Sequence, residues 1–385
     1  MHKTTLANRM ADVQESATMA LNARAKQLAS EGKTIYNLTA GELAAETPGY
    51  IQEHVATKLH HNKYTPAAGL PKLREAIAED ARAFYDLGWI KSANVAVTAA
   101  SKPALYATLL ALINKGDEVI VPIPAWVTYV ELIKLVGGVV VPVPLTEDFD
   151  IDAKAVLAKV TPKTKVIILN SPNNPAGSIF SKPALEALAK GLKGREITVL
   201  SDDMYAKLVY ADDFTPVPCV GFEHIVIVNG YSKSHALTGW RIGYVIAQEH
   251  IIKAIADLLG HITGNASVTS QQAALTVMEH GNTPPADILE TLSRQRDIVD
   301  EVLREAPGIS YHLPGGAFYY YLDLRSLTED SLAWCEQLLD KTGVALVPGE
   351  AFGTPGFARL SFVADETMLR KALEAIKKFV TEQAS

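Results

Sequence analysis

Cysteine is nearly absent: Cys219 and Cys335 are the only two in 385 residues. They are far apart and form no metal-ligand pattern, so both read as small buried core thiols of a reducing compartment. The ten histidines fall in neither HxxxH nor HExxH spacing, and no structural or catalytic metal is expected. Basic runs are lacking too. With 36 Lys plus Arg against 43 Asp plus Glu, the net charge of -7 gives no nucleic-acid footprint, although a few placed cations can still hold one phosphate. No uninterrupted apolar stretch reaches the roughly 18 residues of a membrane helix. The opening MHKTTLANRMADVQES lacks the apolar segment of a signal peptide. A cytoplasmic location is the expectation, without membrane or nucleic-acid partners.

What is present is the composition of a folded globular chain, 48% hydrophobic and 21% charged. Its length exceeds what one core usually supports and suggests two domains. Thr18 to Gly32 reads as a helix, with Leu21, Ala25 and Leu28 on one face and Gly32 as the stop. From Asn94 to Gly243, short β-branched runs alternate with helical patterns. The strands expected are Val95–Thr98, Glu118–Val121, Val139–Val143, Val166–Leu169, Thr198–Ser201, Ile225–Val228 and Gly243–Ala247. Lys102–Ile113 and Lys182–Leu192 are among the helices between them. Nearly continuous apolar strands suit burial on both faces, so the fold class is α/β: a large domain whose mostly parallel sheet is covered by helices on both faces. Past Ala247 the pattern changes. Helices cover about 250–306, including Ala286–Arg304. Short strands follow at Tyr319–Leu322, Val344–Val347 and Arg359–Phe362, flanked by helices Glu329–Thr342 and Asp365–Thr381. This is a smaller α+β domain.

In such sheets ligands bind outside the carboxyl ends of the strands. Four strand ends carry chemistry: Asn170-Ser-Pro-Asn-Asn174-Pro-Ala-Gly177, Asp202-Asp-Met-Tyr205, Asn229-Gly-Tyr-Ser-Lys233 followed by Gly239-Trp-Arg241, and Ala99-Ala-Ser101-Lys102. A lysine desolvated among cations becomes a nucleophile toward an aldehyde. An aspartate facing a pyridine nitrogen keeps that nitrogen protonated, which makes the ring an electron sink. Asn and Tyr can hold a ring hydroxyl. An Arg and the backbone at a helix start can take a phosphate.

These segments resemble the class I aminotransferases, pyridoxal-phosphate enzymes of fold type I, and within them the prokaryotic aspartate aminotransferase-like subgroup. The likeness runs from Ser16-Ala-Thr-Met-Ala-Leu-Asn22 to Arg359-Leu-Ser361. Its most specific part is Ser232-Lys233-Ser-His-Ala-Leu-Thr-Gly239-Trp-Arg241-Ile-Gly243. The resemblance implies the residue roles. Lys233 forms the Schiff base with pyridoxal 5'-phosphate and then shuttles the proton. Asp202 pairs with the pyridine nitrogen, Tyr205 and Asn174 contact the ring oxygen, and Trp126 stacks on the ring. Arg241, with the Ser101/Lys102 turn, holds the phosphate. Arg359 forks onto the substrate α-carboxylate, which Gly41 lets approach the backbone. Tyr64 reaches the phosphate of a neighbouring subunit, which implies a homodimer with shared sites. The resemblance also places the first 45 residues in the small domain, giving a large domain of 46–285 and a small one of 1–45 plus 286–385.

Departures bear on specificity. The loop Gly41-Glu-Leu-Ala-Ala45 lacks the family's large aromatic. Ala125 stands where Tyr is common, and Pro103 follows Lys102 where Gln is usual. Gly230 replaces a phosphate-binding Ser of some relatives. Lys102 matches a lysine that helps recognise a side-chain carboxylate, and it reads equally well as a solvated helix-start lysine. The activity implied is transfer of an amino group from an L-amino acid to a 2-oxo acid such as 2-oxoglutarate, by ping-pong Schiff-base chemistry. Aspartate is favoured as donor and an aromatic or broad range comes next. A β-eliminating lyase on the same scaffold is the alternative. A non-enzymatic ligand sensor, which an added helix-turn-helix module would mark, is a remote one.

Overall fold

The computed structural model describes residues 5–7, 10 and 17–384, so Ser16 and the side chain of Leu21 lie outside the described residues. In chain order the strands are β1 (Tyr36–Asn37), β2 (Val95–Thr98), β3 (Glu118–Ile123), β4 (Val139–Pro144), β5 (Thr164–Leu169), β6 (Thr198–Asp202), β7 (Ile225–Gly230), β8 (Gly243–Ile246), β9 (Tyr319–Asp323), β10 (Val344–Ala345), β11 (Val347–Pro348) and β12 (Phe357–Ser361). Seven form the central sheet, in the order β2-β8-β7-β6-β5-β3-β4. The block from β7 to β4 is parallel, and β8 runs antiparallel to both β7 and β2. β2 therefore points the same way as the parallel block, and its carboxyl end lies on the same edge.

Side-chain alternation explains why the sheet is sandwiched. Val95, Val97, Ile167, Leu169, Val199 and Ile227 join one apolar layer with the helices Gly49–Lys58, Pro71–Tyr85 and Lys182–Leu192. Ala96, Val166, Ile168, Leu200, Val226 and Val228 join the other with the helices Ser101–Leu112, Val127–Leu135 and Glu249–Ile262. Apolar residues at both phases of a two-residue period leave neither face to water. β4 departs from the expected double burial. It is an edge strand with Val139 exposed, whereas the other edge strand, β2, is buried throughout.

Beyond the central sheet, β11, β12 and β9 form an antiparallel sheet, and β1 pairs in parallel with β10. The helices Ala286–Leu303, Ser331–Thr342 and Glu366–Ala384 pack with β9 and β12 in a second apolar cluster, which includes Leu38 and also Met204, Tyr205 and Leu208. The expected single strand Val344–Val347 is two, broken at the buried Leu346, where the chain changes partner from β1 to β12. An apolar run does not report such a switch. Cys335 is buried as expected, but Cys219 is exposed and donates to the Tyr85 carbonyl at 3.3 Å. It is the exposed member of the short helical turn Val217–Val220, whose Val217 and Pro218 are buried. Among the described residues no helix is long and apolar enough to cross a membrane.

Candidate active site

The carboxyl ends of β2, β3, β5, β6 and β7 open on one cavity of about 580 Å³. Its walls include Gly41, Ser101, Lys102, Trp126, Asn174, Asp202, Tyr205, Lys233, Arg241 and Arg359. Ten of the eleven expected site residues thus converge. Tyr64 does not: it is 96% exposed and lies outside the cavity.

Asp202 ends β6 and is buried. Its Oδ2 accepts from the Tyr129 hydroxyl at 2.6 Å, and the Met204 amide lies 3.4 Å from Oδ1. Burial pushes this carboxyl up to about 6, against the opposing pull of those two donors and of Lys233. Asn170, just past β5, ties the strand ends together by donating to the Asp202 carbonyl at 2.8 Å. Its Oδ1 accepts from the Asn174 amide at 2.9 Å.

Lys233 lies three residues past β7, and its Nζ donates to the Gly41 carbonyl. Burial brings its pKa down to about 8, helped by Arg241 and Arg359 and resisted by Glu42 and Asp202. A far larger share of this amine than of an ordinary lysine is therefore neutral near physiological pH, the state a nucleophile needs. At Gly41 an added Cβ would meet only the Tyr319 hydroxyl, at 3.6 Å, so packing within the chain does not require glycine there.

Arg359, from β12, is buried. Nη1 donates to Asn174 Oδ1 at 3.0 Å and Nη2 to the Thr39 carbonyl at 2.8 Å, while Nε is buried without a partner. The guanidinium lies over the Tyr319 ring at 4.4 Å and the Phe352 ring at 5.2 Å. A buried unpaired donor on a rigidly held guanidinium is an acceptor site in waiting, and it suits a carboxylate. Tyr205 meets Tyr319 hydroxyl to hydroxyl at 3.1 Å.

Opposite charge is also invited at the start of the helix Ser101–Leu112. Ala100 caps it without a side-chain acceptor, leaving the first-turn N–H groups open beside Arg241. Arg241 Nη1 donates to the Thr238 carbonyl at 2.8 Å. Lys102 Nζ sits 5.0 Å over the Trp126 ring, its pKa lowered by burial and by Arg241. Two backbone features brace this corner. Ala100 has φ 80° and ψ 174°, and Arg241 has φ 52°. Gly230 is dictated by close strand pairing: a Cβ there would lie 2.9 Å from the Ile242 carbonyl. In the loop Gly41–Ala45 only Gly41 and Glu42 reach the cavity, and Leu43 packs toward the second apolar cluster.

Tyr129 and Tyr319 were not expected at the site, and Asn170 stood in an expected strand-end segment without a role of its own. Tyr129 stands three residues after Trp126, one helical turn on, and that spacing was the signal for it. Tyr319 lies in the run Phe318-Tyr-Tyr-Tyr321, which by itself reads as core.

A doubly covered sheet whose strand ends gather a near-neutral lysine, a buried acid and two arginines defines an enzyme of amino-group chemistry. The chain belongs to the aminotransferases of class I and II, whose family model matches residues 33–376. An aspartate aminotransferase of Thermotoga maritima is 38% identical over 384 residues, covering 98% of this chain and all of that one. An asparagine–oxo-acid transaminase of Streptococcus mutans is 35% identical, covering 98% of this chain and 99% of its own. The solved structure of the Thermus thermophilus aspartate aminotransferase with maleate superposes with a TM-score of 0.93 at 37% identity, covering 98% of this chain and 100% of that one.

Proposed function

We propose that the cavity holds pyridoxal 5'-phosphate on Lys233 and that the enzyme transfers an amino group from an L-amino acid, with aspartate favoured, to a 2-oxo acid such as 2-oxoglutarate in ping-pong order. The observation that carries this is the single cavity shared by the near-neutral Lys233, the buried Asp202 and the half-satisfied Arg359. The donor set fits the group: an acid for a ring nitrogen, two hydroxylated or amide side chains for a ring oxygen, and a helix start with Arg241 for a phosphate. When bound, the cofactor supplies the electron sink for charge developing at the substrate's α-carbon.

The chain's own residues do the rest. Asp202 holds the proton on the ring nitrogen, and its burial makes that ion pair strong. Asn174 Oδ1 is engaged by Arg359, so its Nδ2 remains to donate to the ring oxygen together with Tyr205. Arg241 and the N–H groups of Ser101 and Lys102 fix the phosphate, and Trp126 covers a ring face. Arg359 takes the α-carboxylate of amino acid and oxo acid alike, and Gly41 leaves that carboxylate room. Lys233 Nζ carries the proton from the α-carbon.

Three observations support a dicarboxylic donor. The Thermotoga maritima and Geobacillus stearothermophilus relatives act, by name, on aspartate, the Thermus enzyme was solved with the dicarboxylate maleate, and Lys102 adds a cation inside this cavity. We also propose a cytoplasmic homodimer in which the exposed Tyr64 reaches the neighbouring subunit's phosphate. The large domain is proposed as 46–285, and the small one as 1–45 with 286–385.

Adding single amino acids to the cofactor-loaded protein and following its visible absorbance tests the function. Aspartate is expected to bleach the coloured form faster than phenylalanine. Lys233→Ala is expected to abolish turnover; absence of a coloured form with added cofactor, or full activity in that variant, overturns the reading. Lys102→Ala is expected to raise KM for dicarboxylates more than for aromatic substrates, and equal effects remove its recognition role.

A further inference from the structure

The helix Val127–Leu135 delivers two residues to the cavity one turn apart. Trp126 caps its start, and the Tyr129 amide donates back to the Trp126 carbonyl at 3.0 Å. The two rings meet edge to face, with centroids 5.5 Å apart at 87°. Tyr129 is 2% exposed, yet its hydroxyl reaches across the sheet edge to Asp202 Oδ2 at 2.6 Å. The other carboxylate oxygen has only the long 3.4 Å approach of the Met204 amide. Tyr129 is thus the one close side-chain donor to the Asp202 carboxylate among the described residues.

We propose that Tyr129 is a positioning residue: it grips one oxygen of Asp202 so that the other faces the cofactor's ring nitrogen and the carboxylate keeps its charge. The inference rests on the cofactor reading above. The physical argument is short. A buried carboxylate with no strong donor takes up a proton, because desolvation penalises the charge. A neutral acid cannot form an ion pair with a protonated ring nitrogen. The groups facing Asp202 are Tyr129 from its helix, Tyr205 and Asp203 beyond β6, and Lys233 beyond β7. Of these, Asp203 is itself pushed up by burial and by the Asp202 charge, and Lys233 is the group assigned to the cofactor. Tyr129 is the side chain that stays a fixed donor to Asp202, ahead of the long approach of the Met204 amide. Its own ionisation is pushed far up by burial and by Asp202, so the phenol always donates.

The test is a double-mutant cycle of Tyr129→Phe and Asp202→Asn, read by the Kd of pyridoxal phosphate for the cofactor-free protein and by the pH dependence of that Kd. With Asp202 present, Tyr129→Phe is expected to weaken binding roughly 10-fold, the scale of a hydrogen bond to a charged group. The acid limb should move up by about one pH unit. In the Asp202→Asn background the same change should cost almost nothing. Replacing Tyr129 with 3-fluorotyrosine, a stronger donor of nearly the same shape, should move the acid limb down. Equal weakening in both backgrounds, or a lowered Tm with Kd and pH limb unchanged, overturns the proposal. Absence of cofactor binding by the wild type overturns the underlying reading instead, and this proposal with it.

Discussion

The guanidinium of Arg359 lies 4.4 Å over the ring of Tyr319, and the hydroxyl of that same Tyr319 lies 3.1 Å from the hydroxyl of Tyr205. One side chain thus touches the residue assigned to the substrate carboxylate and the residue assigned to the cofactor oxygen. The two contacts are separable. Tyr319→Phe keeps the ring under Arg359 and is expected to leave KM nearly unchanged. Tyr319→Leu removes the cation–π contact and should raise KM roughly 10-fold, from a contact of this kind. Steady-state kinetics on both variants check this, and equal KM values for the two would place the ring outside carboxylate binding.

Lys233 should react as an amine of pKa about 8. The rate at which cofactor-free protein captures pyridoxal phosphate is expected to rise with pH through a midpoint near 8. Only the neutral amine attacks the aldehyde, and its share grows as pH rises through the lowered value rather than the ordinary 10.5. Stopped-flow absorbance gives the profile, and a midpoint at the ordinary value would show a solvated lysine.

Asp203 is buried beside Asp202, its Oδ2 without a partner and its carboxyl pushed up to about 7 by burial. Ser201 and Tyr85 oppose the shift, and the Asp202 charge adds to it. A raised folded-state pKa means the native chain holds a proton that the unfolded chain has released. Stability from this group is therefore full below the ordinary carboxylate value and is lost as pH rises toward 7. Asp203→Asn keeps the shape without the titration, so its Tm relative to wild type should climb from pH 5 to pH 8. A constant difference across that range would mean Asp203 does not titrate there.

Ala100 occupies φ 80° and ψ 174°, a region in which only glycine is at ease. Strain of about 1–3 kcal/mol at such a residue should outweigh the buried methyl lost on mutation. Ala100→Gly is expected to raise stability by roughly 1 kcal/mol, and Ala100→Val to lower it, in thermal melts of the cofactor-free protein. A glycine variant less stable than wild type would show that the methyl packs better than its backbone is strained.

Much of the site could be read locally. Lys233, Asp202 and Asn174 each stand at or soon past the end of a strand whose apolar run was plain in the sequence, and Arg241 stands just before the antiparallel β8, whose start lies on the same edge. Arg359 was found from its family segment, but its partners were not. Thr39 and Asn174 come from distant parts of the chain. In Tyr319-Tyr-Tyr321 the letters are identical and the fates differ. One tyrosine meets Tyr205, the next donates to the Arg296 carbonyl at 2.9 Å, and the third meets Thr354 at 2.5 Å.

The sequence by itself determined the strand and helix phases, the order of strand-end motifs and hence the class of chemistry, because periodicity and turn residues act over a few positions. Only the tertiary structure decided that Tyr129 faces Asp202, that Leu346 ends one pairing and starts another, that Cys219 is exposed, and that Lys233 and Asp202 depart from ordinary acidity. Desolvation and hydrogen-bond partners depend on which remote segments close around a group, and no local pattern in the chain encodes that enclosure.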